Sequence, residues 1–452
     1  MKHSVFFFAI IWFLATGVLA ADLETSLVRN WHQWRGPNAN GTAPMADPPV
    51  QWGETENIKW KVEIPGEGSA TPIVWNDRVF VVTAVRTDRE VEAVEGAATE
   101  AGTSPREDGR RRRFRSSVPR HYYRFTVLCC DRDTGKELWK RVATEEVPHE
   151  GHHSTGTFAS GSPSTDGEYL YVTFGSRGFY CYDMEGVLKW KRDLGELRIR
   201  NAFGEGSSPV LCGEKLIVPW DQEDQSSVVA LDRKTGETLW VVDRDEPTTW
   251  STPLVVHAGG KTQVILHGTT RVRSYDPEDG RLIWECGGQA LNPVACPVAC
   301  DELVYCTTGR QGYAISAMPL TAQGDITGTA QVAWHRDDSG AYVSSPLLYG
   351  GLLYHVKGLT SILSCLDAKT GEVVFGPERL PRLREIYASP VIAQGRIYLT
   401  DRGGTTLVLQ HGRELSILAT NRLDDGVDAS FALVDRELFI RGSKHLYCIV
   451  EP

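Results

Sequence analysis

The sequence predicts an all-β protein, an eight-bladed β-propeller built of four-stranded antiparallel blades. Three observations predict it: a recurring turn phrase, a small-residue–Pro step that opens each copy, and an N-terminal strand that the last copy lacks. The phrase Cys129-Cys130-Asp131-Arg132-Asp133-Thr134-Gly135, closing on Trp139, returns as Ala230-Leu231-Asp232-Arg233-Lys234-Thr235-Gly236 with Trp240. It returns again as Cys365-Leu366-Asp367-Ala368-Lys369-Thr370-Gly371 with Phe375. Weaker copies lead from Asp183 to Trp190 and from Asp276 to Trp284. A short unit of this kind cannot bury its apolar side alone, so copies must stack. Four-stranded units repeated radially make a propeller.

Each copy opens on Thr71-Pro72, Ser162-Pro163, Ser208-Pro209, Thr252-Pro253, Asn292-Pro293, Ser345-Pro346 or Ser389-Pro390, with Ser430-Phe431 as the eighth. Two strands of period-two alternation follow, as in Arg78-Val79-Phe80-Val81-Val82 and Arg396-Ile397-Tyr398-Leu399. A third strand ends at the turn Asp, and a fourth carries the Trp. In the turn, Asp and Thr side chains bond the backbone and Gly accepts a positive φ. The Trp offers a large apolar ring to the next unit and an indole N–H to anchor it. This docking position falls to Trp139, Trp190, Trp240, Trp284 and Trp334. The eighth copy runs out at Val450, one strand short. The missing strand is read over residues 58–64, with Trp60 in the docking position, so that closure covers two exposed sheet edges. The propeller then spans 58–452, behind an N-terminal extension over 21–57.

Apolar content of 41% and charge of 23% are ordinary for a folded chain. Acidic residues outnumber basic ones, 58 to 48, which argues against a nucleic-acid partner. Residues 1–20 read as a signal peptide: Lys2, an apolar run from Val5 to Leu14, then Val18-Leu19-Ala20. The mature chain is therefore expected to be exported, periplasmic or secreted, without a membrane span, and monomeric. Residues 86–120 interrupt blade one with charge and few apolar residues, which predicts a disordered insertion. Four of the ten Cys (Cys129, Cys181, Cys365 and Cys448) share one repeat position that Ala230 fills elsewhere. A small buried residue is wanted there; the other six are open to pairing.

The Ala/Cys-x-Asp-x-x-Thr-Gly-x-x-x-Trp phrase resembles the tryptophan-docking repeat of the pyrroloquinoline-quinone (PQQ) propeller superfamily. The opening Trp31-His32-Gln33-Trp34-Arg35-Gly36-Pro37-Asn38, followed by Gly41, is similar to the start of such proteins. The resemblance implies the propeller for nearly the whole mature chain. For function it implies either of two things: quinoprotein alcohol and sugar dehydrogenases, or cofactor-free scaffolds such as the assembly lipoprotein BamB. In the dehydrogenases the quinone lies between a Trp face and a disulfide of adjacent Cys, with calcium held by Glu, Asn and Asp. The adjacent pair here, Cys129-Cys130, falls within a strand rather than at a loop, and no calcium set matches residue by residue.

Propeller topology places the Asp-x-x-Thr-Gly turns on one face. The connections between blades, and between second and third strands, fall on the other. That second face carries His149, His152 and His153, then Arg200, Asn201 and Glu205. It also carries Asp221, Glu223 and Asp224, with Arg244 ahead of Trp250. A polar, aromatic-rimmed mouth there is the expected ligand site. The favoured reading is a non-catalytic binding or scaffold protein for a protein or envelope-polymer partner. Two alternatives stand beside it: a PQQ- and calcium-dependent oxidoreductase, and a metal-dependent enzyme built on the His149–His153 loop.

Overall fold

The computed structural model describes residues 25–91, 116 and 119–451. The expected leader lies outside those residues, as does most of the charged insertion. Apart from a helical turn over 25–29, two three-residue 3-10 turns and isolated bridges, the described residues form strands and connections. They make eight sheets, each of four antiparallel strands and one with a short parallel strand added at its edge, each following its neighbour in chain order. Blade one pairs Ile73–Trp75, Arg78–Glu90, His121–Asp131 and Glu137–Glu146. Blade eight is Ala432–Val434, Glu437–Arg441 and His445–Val450, completed by Ile58–Glu63 from the N-terminal side. Trp60 stands opposite Cys448 in that closure.

The repeat chemistry is visible at the turns that carry the full phrase. The Asp131 carboxylate accepts from the Thr134 N–H at 2.8 Å, and Asp232 does the same for Thr235 at 2.8 Å. Gly135 and Gly236 both sit at φ +71°, a conformation that costs a residue with a Cβ. The Gly also leaves room for the preceding blade's indole. A Cβ on Gly186 would stand 2.8 Å from Trp139, and one on Gly236 2.7 Å from Trp190. The indole N–H groups donate to the next turn's carbonyl: Trp139 to Met184, Trp190 to Arg233, Trp334 to Ala368, each at 2.9 Å, and Trp240 to Pro277 at 3.1 Å. On the same blade a small residue faces each ring, Cys129 opposite Trp139, Cys181 opposite Trp190 and Ala230 opposite Trp240.

Three expectations are corrected. Trp284 does not dock on the next blade; its indole donates to Gln263 Oε1 of its own blade at 3.1 Å. Blade five has no tight turn to receive it. A long connection stands there instead, and its Gly324–Asp325 pairs with Leu282–Cys286 as a fifth strand of blade four. The charged insertion begins later than residue 86, because pairing in blade one continues to Glu90 opposite His121, with Arg89 stacked 3.7 Å over Tyr122. The inner strand of blade five begins after Cys296-Pro297, at Val298, and not after Asn292-Pro293. Two small–Pro steps stand four residues apart there, and strand alternation fits both. As to the segment ahead of Ile58, read as an N-terminal extension, its part nearest the ring is packed and not free. Trp31 and Trp52 are buried in one apolar cluster with residues of blades one, seven and eight.

All ten Cys are free thiols, and every one but Cys300 is buried. Cys129 and Cys130 point into different clusters, one toward blade two and one toward blade eight. Burial pushes their thiols up, to about 12 and about 11. Among the described residues no helix is long and apolar enough to cross a membrane.

Candidate functional site

The small residues that open the blades are joined around the central channel. Each backbone N–H donates to the side chain of the same residue in the next blade. Thr71 donates to Ser162 Oγ at 3.0 Å, Ser162 to Ser208 Oγ at 2.8 Å and Ser208 to Thr252 Oγ1 at 3.0 Å. Thr252 donates to Cys296 Sγ at 3.2 Å, Cys296 to Ser345 Oγ at 2.9 Å, Ser345 to Ser389 Oγ at 2.9 Å and Ser389 to Ser430 Oγ at 2.9 Å. The Thr71 hydroxyl has no partner among the described residues, so this girdle is open between blades eight and one. Small residues recur at these positions because their side chains bridge blade to blade. Each hydroxyl spends an acceptor on that bridge and keeps its own proton to donate.

The opening phrase Trp31 to Gly41 closes the channel. Trp31 exchanges backbone bonds with Val74 of blade one, at 3.1 and 2.8 Å, and Thr42 lies beside Ile392 of blade seven. The chain between them crosses the axis. There the Trp34 indole donates to Cys296 Sγ at 3.2 Å. Arg35, 1% exposed, donates to the carbonyls of Pro390 at 2.8 Å and Pro346 at 2.6 Å. Burial pushes its guanidinium down to about 10. Gly36 at φ +76° accommodates the Trp31 ring, which would lie 2.7 Å from a Cβ.

What remains of the channel is a blind cup of about 230 Å³, floored by Trp34 and girdled by Ser162, Ser208, Thr252, Cys296, Ser389 and Ser430. Phe203, Trp250, Tyr342 and Tyr387 form its aromatic wall, with His153, Glu205, Arg310 and Asp428 as its charged or titratable groups. Trp250 is fixed by its indole bond to the Gly204 carbonyl at 2.7 Å. Asp428 is tied to Arg402 at 2.7 and 3.1 Å, and that guanidinium lies 4.5 Å from the Tyr387 ring centre. Glu205 accepts from the Ser176 N–H at 2.7 Å and hydroxyl at 2.5 Å; burial still pushes its carboxyl up. Arg310 has no carboxylate partner among the described residues; its guanidinium lies 5.5 Å from the Tyr342 ring centre. Burial first, then the charges of Arg310 and Arg402, push the His153 imidazole down.

Of the residues expected at the mouth, His153, Glu205 and Trp250 line the cup. His149 and Asp221 line a smaller adjoining cavity of about 60 Å³, which also reaches Glu205. His152 packs edge-on against Phe158, 4.4 Å between ring centres. Arg244 and Asp221 are buried against each other, at 2.7 and 3.1 Å. Arg200 bonds Asn292 at 2.8 Å and approaches Glu223 at 3.4 Å, and Asp224 pairs with Arg198 at 3.1 Å. The Asn201 carbonyl accepts from the Ser116 N–H at 3.0 Å. The residues not anticipated are Trp34, Phe203, Arg310, Tyr342, Tyr387 and Asp428. Trp34 had a signal, since it stands in the opening phrase; the others come from loops whose convergence only the ring establishes.

The residues present do not fit a quinone with calcium. Calcium wants a cluster of oxygen ligands, and the cup carboxylates are committed to Arg402 and Ser176. Among the described residues no group of three or more His, Cys, Asp or Glu is placed to hold a metal. The adjacent Cys pair lies inside a strand of blade one, not at the cup. The three His near 150 are engaged separately: His149 with the Leu197 carbonyl, His152 with the His153 carbonyl and His153 with Thr155 Oγ1.

The family described as Outer membrane protein assembly factor BamB matches residues 124–376, more than half of the chain. Among solved structures, BamB from Moraxella catarrhalis is similar at a TM-score of 0.53 and 14% identity, covering 74% of this chain and 95% of that one. A europium-containing methanol dehydrogenase is similar at 0.58 and 10% identity, covering 95% and 100%. A quinohemoprotein alcohol dehydrogenase from Pseudomonas putida HK5 follows at 0.57 and 8% identity, covering 95% and 81%. At these identities the likenesses speak for the fold alone. No curated protein matches the sequence.

Proposed function

The chain belongs to the family of the outer membrane protein assembly factor BamB, and from that premise we propose that it is an exported, non-catalytic binding protein, periplasmic or secreted. Its blind cup takes the end of an envelope polymer. The leader-like composition of residues 1–20 and the family support export.

The observation that carries the reading is the closed floor. Trp34 turns the channel into a concavity walled by aromatic rings, which is how proteins hold small ligands and chain ends. Asp428 is held by Arg402, Glu205 by Ser176 and His153 by Thr155, which fixes the polar groups in the wall. A cup of this size admits one ring-sized group and excludes a folded segment.

The test places a photo-reactive benzophenone side chain at Val343, which lines the cup, and irradiates native envelopes. A protease-resistant, sugar-staining adduct is expected. A protein adduct would replace the polymer with a protein partner, and no adduct would remove the cup as the site. Alcohol-dependent dye reduction after adding PQQ and calcium would overturn the non-catalytic reading outright.

A further inference from the structure

We infer that the cup selects an acidic sugar, a ring bearing a carboxylate, as the polymer end it holds. The inference rests on the reading of the cup given above and adds its ligand chemistry.

Charge is the first argument. The chain as a whole carries −10, yet the cup holds a guanidinium, that of Arg310, with no carboxylate bonded to it among the described residues. Arg402 and Asp428 cancel, bonded at two points. Glu205 is turned toward the Ser176 N–H and hydroxyl, which both donate to it. That leaves Arg310 at the rim, without a carboxylate of its own among the described residues. An anion entering the cup would be its first ionic partner, in a setting less screened than open surface.

Hydrogen-bond polarity is the second. The girdle oxygens of Ser162, Ser208, Thr252, Ser389 and Ser430 all accept from a backbone N–H. Each is left with a proton to donate and a second lone pair to accept with, and a sugar hydroxyl, itself donor and acceptor, can meet both. Shape is the third. Trp34, Trp250, Tyr342 and Tyr387 line the cup with aromatic surface, on which the C–H side of a sugar can bury apolar area.

Binding is measured by calorimetry on the mature chain with digalacturonate and, as the neutral counterpart, a galactose disaccharide. Digalacturonate is expected to bind more tightly, with an affinity that falls as salt rises. Arg310→Gln is expected to weaken digalacturonate by about 10- to 100-fold, the range of one charge-assisted hydrogen bond, and to weaken the neutral disaccharide by much less; an equal loss for both sugars would overturn the acidic ligand. Arg310→Lys should restore part of the loss, and unchanged near-ultraviolet circular dichroism checks the fold of both variants. Equal binding of the two sugars, or preference for the neutral one, would overturn the acidic ligand while leaving the polymer-binding cup in place. Binding of neither sugar would also overturn it, and the benzophenone adduct then decides the fate of the cup separately.

Discussion

The indole of Trp60 lies on Gly135, 2.7 Å from where a Cβ would stand, and donates to the Arg132 carbonyl at 2.9 Å. This contact couples the N-terminal strand in blade eight to the first turn of blade one. It repeats the docking seen between Trp139 and Gly186, so closure uses the same joint as the pairs docked by Trp139, Trp190, Trp240 and Trp334. Lys59 adds an ion pair to Glu437 at 2.6 Å across the closing sheet.

Trp60→Ala is expected to destabilise the fold by about 3–5 kcal/mol, the range for truncating a buried Trp. Leu138→Ala, on the exposed side of a strand at 49% exposure, is expected to stay within about 0.5 kcal/mol. Guanidinium unfolding of both variants reads the difference. Similar costs for the two would contradict a ring closed by Trp60.

Asp221 and Arg244 hold each other, and Thr249 Oγ1 and Tyr275 Oη add bonds at 2.8 and 2.7 Å. Asp221→Ala strands a buried guanidinium and is expected to cost about 3–5 kcal/mol. The double change Asp221→Leu with Arg244→Met is expected to recover most of that loss, because no charge is then left unpaired. Ligand binding at the cup should be the same in the double variant and the parent. A specific loss of binding there would restore these two residues to the site.

Burial pushes the imidazoles of His32, His267 and His355 down to about 4. The unfolded chain takes up protons near pH 6.5. Between those values it binds protons that the folded chain refuses, so this contribution is full above pH 6.5 and is lost as pH falls toward 4. Glu205 and Glu246, whose carboxyls burial raises, act in the opposite sense. The test is therefore differential. Compared with the parent, His355→Gln is expected to lose less stability between pH 7 and 4.5, by up to roughly 3 kcal/mol. Parallel pH curves would show that His355 does not titrate in this way.

Thiol counting checks both the free cysteines and the plug. In the native protein, Ellman's reagent is expected to label Cys300 rapidly and to reach all ten thiols only in denaturant. Trp34→Ala removes the indole that caps Cys296 Sγ, and a second native thiol should then react. A native count unchanged by that substitution would mean that Trp34 does not floor the cup.

Most of the fold was legible because the repeat carries its own reasons. Asp131, Thr134, Gly135 and Trp139 each do a local job that shows in the sequence, and copies of that job count the blades. Blade five misled at both ends for the same reason. Its start offers two Pro steps, and it lacks the turn on which Trp284 would dock. The site was less legible. His153, Glu205 and Trp250 were within reach because topology assigns whole loops to a face. Which loop residue then meets the axis depends on backbone course, and Asp221 and Arg244 satisfied each other instead. The role of Trp34 and Arg35 was hidden because their partners lie 262 residues away at Cys296 and 311 residues away at Pro346.

Those separations fix the order in which the molecule can assemble. The stretch from Trp31 to Glu63 emerges early and finds its partners late, at Pro390, Asp435 and Cys448. Such distant pairing slows folding and leaves the early strand without its neighbour until the C-terminal end arrives. The floor of the cup needs blades five to seven, through Cys296, Pro346 and Pro390, and the last joint of the circle needs blade eight. A chain cut short in blade eight leaves the strand Ile58–Glu63 without its partner and two sheet edges bare.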